Sequence, residues 1–156
     1  MNDEKQLGNK PWEFKMKKDV LINIKGIYQV DDDRDEIELF TTGQYYKKNG
    51  EYYICYDETE ATGFEGSRTT LRVNPDRVVM QRTGASISQL IVELGVRHQC
   101  HYDIGMGDMM IGVLGNKVKS TLDEKGGHLI IKYSLDVNSL LASENEMYIN
   151  VKESAN

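Results

Sequence analysis

From Asp19 onward the chain runs in short stretches of alternating apolar and polar residues, broken at regular intervals by turn formers, a pattern that a sheet satisfies and a helix does not. "VLINIKGIYQV" places Val20, Ile22, Ile24, Tyr28 and Val30 on one face, and "DDDRDE" is its polar turn. "IELFTTGQYYK" and "EYYICYDE" flank Asn49-Gly50, the strongest hairpin signal in the chain. "SRTTLRV" and "RVVMQRT" form a second hairpin about Asn74-Pro75-Asp76. "SISQLIVEL" turns at Gly95 into "VRHQCHYDI", and "GMGDMMIGVLG", "HLIIKYSLDV" and "EMYINVK" follow. The weak helical stretches are 116–124 and 138–145, and neither carries an apolar stripe for three turns. The expected fold is all-β: a closed, antiparallel, up-and-down barrel of roughly eight to ten strands, which also removes exposed sheet edges.

The chain of 156 residues suits one domain, over 17–153. Residues 1–16 are polar and aperiodic and read as a leader, with Trp12 and Phe14 as the side chains able to dock. A net charge of −6 argues against nucleic-acid binding, which needs a basic face to neutralise phosphates. No apolar run of eighteen residues or signal-peptide core is present, so neither a membrane span nor export is expected. Cys55 and Cys100 are too few for a disulfide framework, which fits a cytoplasmic protein with reduced thiols.

"TTGQYYKKNGEYYICY", "YDETEATGFEGSRTTLRV" (56–73) and "GGHLIIKYSLDV" (126–137) resemble the YwiB family of small bacterial proteins, over about residues 17–152. The family is similar to the calycins, so the resemblance implies a lipocalin-like barrel; it implies no activity, because the family is uncharacterised. Two features depart from the pattern. The lipocalin Gly-X-Trp is missing, since Trp12 follows "NKP", and Tyr102 is followed by "DIGMG" where the family carries a Thr-Pro-aromatic-Gly turn.

A two-residue turn at Asn49-Gly50 sets Lys48 opposite Glu51, Tyr46 opposite Tyr53 and Gln44 opposite Cys55. The other face pairs Tyr45 with Ile54, Gly43 with Tyr56 and Thr41 with Glu58, and also carries Ile37 and Leu39. This is the more apolar face and belongs inside, with the small Gly43 making room for the Tyr56 ring. Glu58 then points inward, while Asp57 and Glu60 face water; neighbours on a strand face opposite sides, so Asp57 and Glu58 are no catalytic pair. In the second hairpin Val73 faces Val78, Leu71 faces Met80 and Thr69 faces Arg82, which turns Arg82 inward too. A buried glutamate and a buried arginine each need a partner, so the two are mutual candidates, with hydroxyls from Tyr28, Tyr45, Tyr52, Tyr56 and Tyr133 around them.

This constellation has three readings. It is a closed polar network that fixes packing; or Arg82 holds an anionic group of a ligand; or Glu58 is an acid/base catalyst, which would need a perturbed carboxylate and a place for substrate. The expected function is binding of a small, partly apolar or anionic molecule in or at the mouth of the barrel, without a cofactor. The alternatives are a filled barrel used for structure or protein interaction, and an enzyme. Phe40, Tyr46, Tyr53 and Cys55 on the outer face of the first hairpin mark either a partner or homodimer surface, or cross-strand packing under lysine stems.

No metal site is expected. "DDDRDEIELFTT" lacks the glycine and glutamate of a calcium loop. In "HQCH" His98 and Cys100 share a face that His101 leaves. "GMGDM" opens no helix, so a phosphate cradle is not expected, and no Gly-X-Ser-X-Gly elbow occurs.

Overall fold

The computed structural model describes residues 17–103 and 107–154. The leader, and residues 104–106 of the departure after Tyr102, lie outside them. Ten strands run in chain order: β1 (Lys18–Val30), β2 (Asp33–Lys48), β3 (Glu51–Asp57), β4 (Ser67–Asn74), β5 (Arg77–Gly84), β6 (Ser88–Glu93), β7 (Arg97–Asp103), β8 (Asp108–Ser120), β9 (Gly126–Val137) and β10 (Leu140–Glu153). A short 3-10 turn (Glu60–Thr62) interrupts the connection from β3 to β4. Among the described residues no helix is long and apolar enough to cross a membrane.

All the strands form one antiparallel sheet in the order β6-β5-β4-β3-β2-β1-β10-β9-β8-β7. Sequence neighbours are therefore spatial neighbours, and β1 pairs with β10 to bring the two runs together. The sheet curls until its edges, β6 and β7, meet at a seam. The seam is not a ladder. It is held by bridges from Glu93 to Val96 and from Leu94 to Gly115, and by the Ile91 N–H donating to the Cys100 Sγ at 3.4 Å. The barrel is thus nearly closed.

The two registers counted from the turns are present: Lys48–Glu51, Tyr46–Tyr53, Gln44–Cys55, Tyr45–Ile54 and Gly43–Tyr56 in the first hairpin, and Val73–Val78, Leu71–Met80 and Thr69–Arg82 in the second. Asn49 and Gly50 both have positive φ, 53° and 80°, as a primed two-residue turn requires. Two expectations are corrected. The β2–β3 ladder ends at Gly43–Tyr56, so Thr41 does not pair with Glu58. A Cβ on Gly43 would strike the Cys55 carbonyl oxygen and the Ile22 Cδ1 first, so the glycine serves a close backbone approach, not the Tyr56 ring. Gly26 is the residue that makes room for a tyrosine: the Tyr28 ring folds back across it, and a Cβ there would lie 2.9 Å from the hydroxyl.

Neither helical stretch is helical. Residues 116–120 complete β8, and Asn138 and Ser139, at φ 52° and 68°, make the tight turn into β10. Pairing of both segments with β9 outweighs their local preference.

The interior divides into two halves. At the end where Asn49-Gly50 and Pro75-Asp76 turn, Val20, Ile22, Ile54, Val73, Val78, Val92, Val113, Leu129 and Val151 pack with almost no exposure. Tyr45 closes this end: its hydroxyl donates to the Asp123 carbonyl at 2.7 Å, and its ring stacks on Tyr52 at 5.5 Å. The other half is not filled.

Candidate functional site

The unfilled half is a cavity of about 330 Å³. It lies where β1, β3, β5, β7 and β9 end and where β2, β4, β6 and β10 begin, so strand ends from most of the barrel contribute to it. Its apolar wall includes Ile24, Leu39, Leu71, Met80, Leu90 and Leu135; its polar wall includes Tyr28, Tyr56, Glu58, Thr69, Arg82, Tyr102, Tyr133 and Asn145.

Glu58 is the anchor of the polar wall. One more rung beyond β3, its N–H donates to the Ser67 carbonyl at 2.8 Å, which carries the alternation past Asp57 and turns Glu58 inward. Its side chain is only 2 % exposed. Three donors meet the carboxylate: the Thr62 hydroxyl at 2.8 Å, the Thr69 hydroxyl, and Arg82 Nη2 at 3.5 Å. Asp57 faces outward and pairs with Arg68 at 3.0 Å, and Glu60 is exposed. The abrupt acidic end of β3 thus sorts into one buried and two solvated carboxylates.

Arg82 reaches the same point from β5. Its Nη1 donates to the Ser88 hydroxyl at 3.3 Å, its guanidinium carbon sits 3.7 Å from the centre of the Phe64 ring, and its buried Nε has no hydrogen-bond partner among the described residues. Residues 58–66 therefore lie over the pair, with Thr62 on the acid and Phe64 on the base. Backbone bonds within this connection, Thr62 N to Thr59 O and Gly63 N to Glu60 O, hold its shape, and the Ala85 N–H to Gly66 O bond of 3.1 Å ties it to the turn before β6.

The tyrosines complete the wall. Burial pushes the Tyr56 phenol well above its ordinary value, with the Glu58 charge adding to the effect. Burial also raises Tyr133, with Tyr28 and Tyr102 adding to it, and Tyr28, with Tyr102 and Glu58 adding to it. All three are neutral hydroxyls at physiological pH.

Of the side chains anticipated from sequence, Glu58, Arg82, Tyr28, Tyr56 and Tyr133 converge here. Tyr45 and Tyr52 do not: they sit at the packed end. Tyr102, Asn145 and Phe64 were not anticipated. Tyr102 was within reach of counting, because it shares the face of the buried Cys100 two residues earlier. Asn145 lies one residue before the strand read as "EMYINVK", because β10 begins earlier, at Leu140, and Phe64 lies in an irregular connection that no period describes.

Elsewhere, His98 is held by Glu93 at 2.8 Å, and among the described residues no group of three His, Cys, Asp or Glu is placed to hold a metal. On the outer face Tyr46 and Tyr53 stack at 4.9 Å with Lys17 over Tyr46, while Phe40 is 73 % exposed.

Comparison with known proteins agrees with this architecture. The chain is 26 % identical over 124 residues to the uncharacterised β-barrel protein YwiB of Bacillus subtilis (strain 168), an alignment covering 80 % of this chain and 86 % of that one. The crystal structure of the ywiB protein from Bacillus subtilis matches with a TM-score of 0.80 at 21 % identity, over 98 % of this chain and all of the other, which supports the fold. Residues 22–149 match the family described as a domain of unknown function, DUF1934, and the chain belongs to that family.

Proposed function

We propose that the protein binds a small, partly apolar molecule in the open half of the barrel. The observation that carries this reading is the cavity of about 330 Å³ lined by apolar side chains on one side and by Glu58, Arg82, four tyrosines and Asn145 on the other. That size lies at the lower end of the range typical of small-molecule sites, roughly 300–1,000 Å³, and the wall combines an apolar side with convergent polar groups. Val30 and Ile37 line the cavity yet are 49 % and 36 % exposed, which gives it an apolar entrance.

Native mass spectrometry of freshly purified protein tests the reading, with thermal-shift titration against a panel of small aryl and alkyl compounds. A retained small-molecule adduct, or saturable stabilisation by a panel member, supports it. A clean mass and no stabilisation by any compound overturns it in favour of a structural or protein-interaction barrel.

A further inference from the structure

The charge of the ligand is constrained by the pair that lines the cavity. Among its described lining residues Glu58 and Arg82 are the only formally charged side chains, and they face each other at 3.5 Å. The arginine's charge is therefore already compensated. A carboxylate entering beside it would share one guanidinium with a carboxylate that is 2 % exposed, and like charges in a poorly solvated site disfavour each other strongly.

The hydrogen-bonding capacity is not used up in the same way. A guanidinium has five N–H donors. Among the described residues Arg82 uses them in two long hydrogen bonds, to Ser88 at 3.3 Å and to Glu58 at 3.5 Å. The phenols of Tyr28, Tyr56 and Tyr133 face the same space, and burial keeps them protonated and able to donate. The wall thus offers donors without offering net positive charge. The entrance points the same way: Asp31, Asp32, Asp33 and Asp35 cluster at the β1–β2 turn at this end of the barrel and are exposed, with Arg34 among them, a field that repels anions.

Resting on the binding reading above, we infer that the cavity selects an uncharged molecule: a flat apolar body carrying a neutral acceptor such as an amide, lactam or ketone oxygen, in preference to the matching carboxylate. Its volume is about twice the roughly 150 Å³ that accommodates benzene, which fits a body of about two fused rings.

The test is a calorimetric or fluorescence titration of matched pairs, benzamide with benzoate and 2-naphthamide with 2-naphthoate, at pH 7.5. The amide is expected to bind about tenfold or more tightly than its acid. Glu58→Gln removes the compensating charge while keeping the side chain's shape, so in that variant the acid should gain on the amide. The wild-type ratio decides the matter whether or not the variant folds. An acid that binds the wild type as well as its amide overturns the selectivity and leaves the binding reading standing. A folded Glu58→Gln protein with an unchanged ratio shows that Glu58 does not set the preference. Binding of no member of either pair overturns the inference; together with a clean native mass and an unresponsive panel, it overturns the binding reading as well.

Discussion

The guanidinium carbon of Arg82 lies 3.7 Å from the centre of the Phe64 ring, so the connection after β3 is fastened to the cavity through a cation and an aromatic face. A partly desolvated contact of this kind contributes about 1–2 kcal/mol. Phe64→Leu keeps most of the apolar volume and removes the aromatic face. It should lower unfolding free energy by about 1 kcal/mol and speed amide exchange over residues 58–66 more than in β4. Unchanged exchange there would show that the ring does not hold the connection down.

The Glu58–Arg82 pair is tested by a double-mutant cycle. Arg82 and Glu58 side chains are 17 % and 2 % exposed, so removing either one leaves its partner buried without a counter-charge. Glu58→Gln and Arg82→Met should each cost about 3–5 kcal/mol, and the double variant much less than their sum. Additive losses in denaturant melts would mean that the residues do not interact.

Three glycines separate different physical causes. Gly50 has φ +80° and open space around it, so Gly50→Val should cost about 1–2 kcal/mol from backbone conformation alone. Gly43 has an ordinary φ, but a Cβ would meet the Cys55 carbonyl, so Gly43→Ala should be the most damaging, at about 3 kcal/mol or more. At Gly26 the nearest atoms that a Cβ would meet belong to the Tyr28 ring, which borders the cavity and so has space to give way. The cost of Gly26→Ala should be about 1 kcal/mol, with ligand affinity affected more than stability. A Gly26→Ala loss as large as that of Gly43→Ala would show that Tyr28 cannot move.

Stability should fall in alkali. Tyr28, Tyr56 and Tyr133 ionise above their ordinary value of 10.0 in the folded protein, and burial is the leading cause for each. The contribution of these groups is fully present below about pH 10. It is lost as pH rises beyond that, because the unfolded chain releases protons that the folded chain retains. Tyr46 on the outer face, pushed up to about 12 by partial burial and by Cys55, acts in the same direction. Absorbance at 295 nm should show one class of tyrosine titrating near pH 10 and another only on unfolding. A single transition near pH 10 in the folded protein would contradict the burial of these phenols.

Alternation and turn chemistry made most of the barrel legible. Asn49-Gly50 alone fixed five cross-strand pairs and the inward side of β3. It also separated Glu58 from Asp57. Counting by twos fails where the chain stops being a strand, and residues 58–66 hold half of what surrounds the charged pair. It also does not distinguish the two ends of one face. Tyr45 and Tyr56 point to the same interior, yet they lie at opposite ends of it, because distance along the barrel axis depends on how every strand is staggered. The seam was invisible for a related reason: Gly95 signals a turn equally well whether the strands beyond it pair or splay.

That seam has a consequence for the order of assembly. Within β1–β6 and within β7–β10 each strand pairs with its sequence neighbour, and the two meanders are joined by β1 with β10, where Lys18 meets Glu153 across a separation of 135 residues. Closing that long loop is the entropically demanding step and should limit the folding rate. A circular permutant that begins at Arg97, runs through β10 into β1 and finishes at Glu93 would meet its strands in spatial order. The slow long-range encounter would become a local one, and the new chain ends would fall at the seam, where no ladder has to be cut.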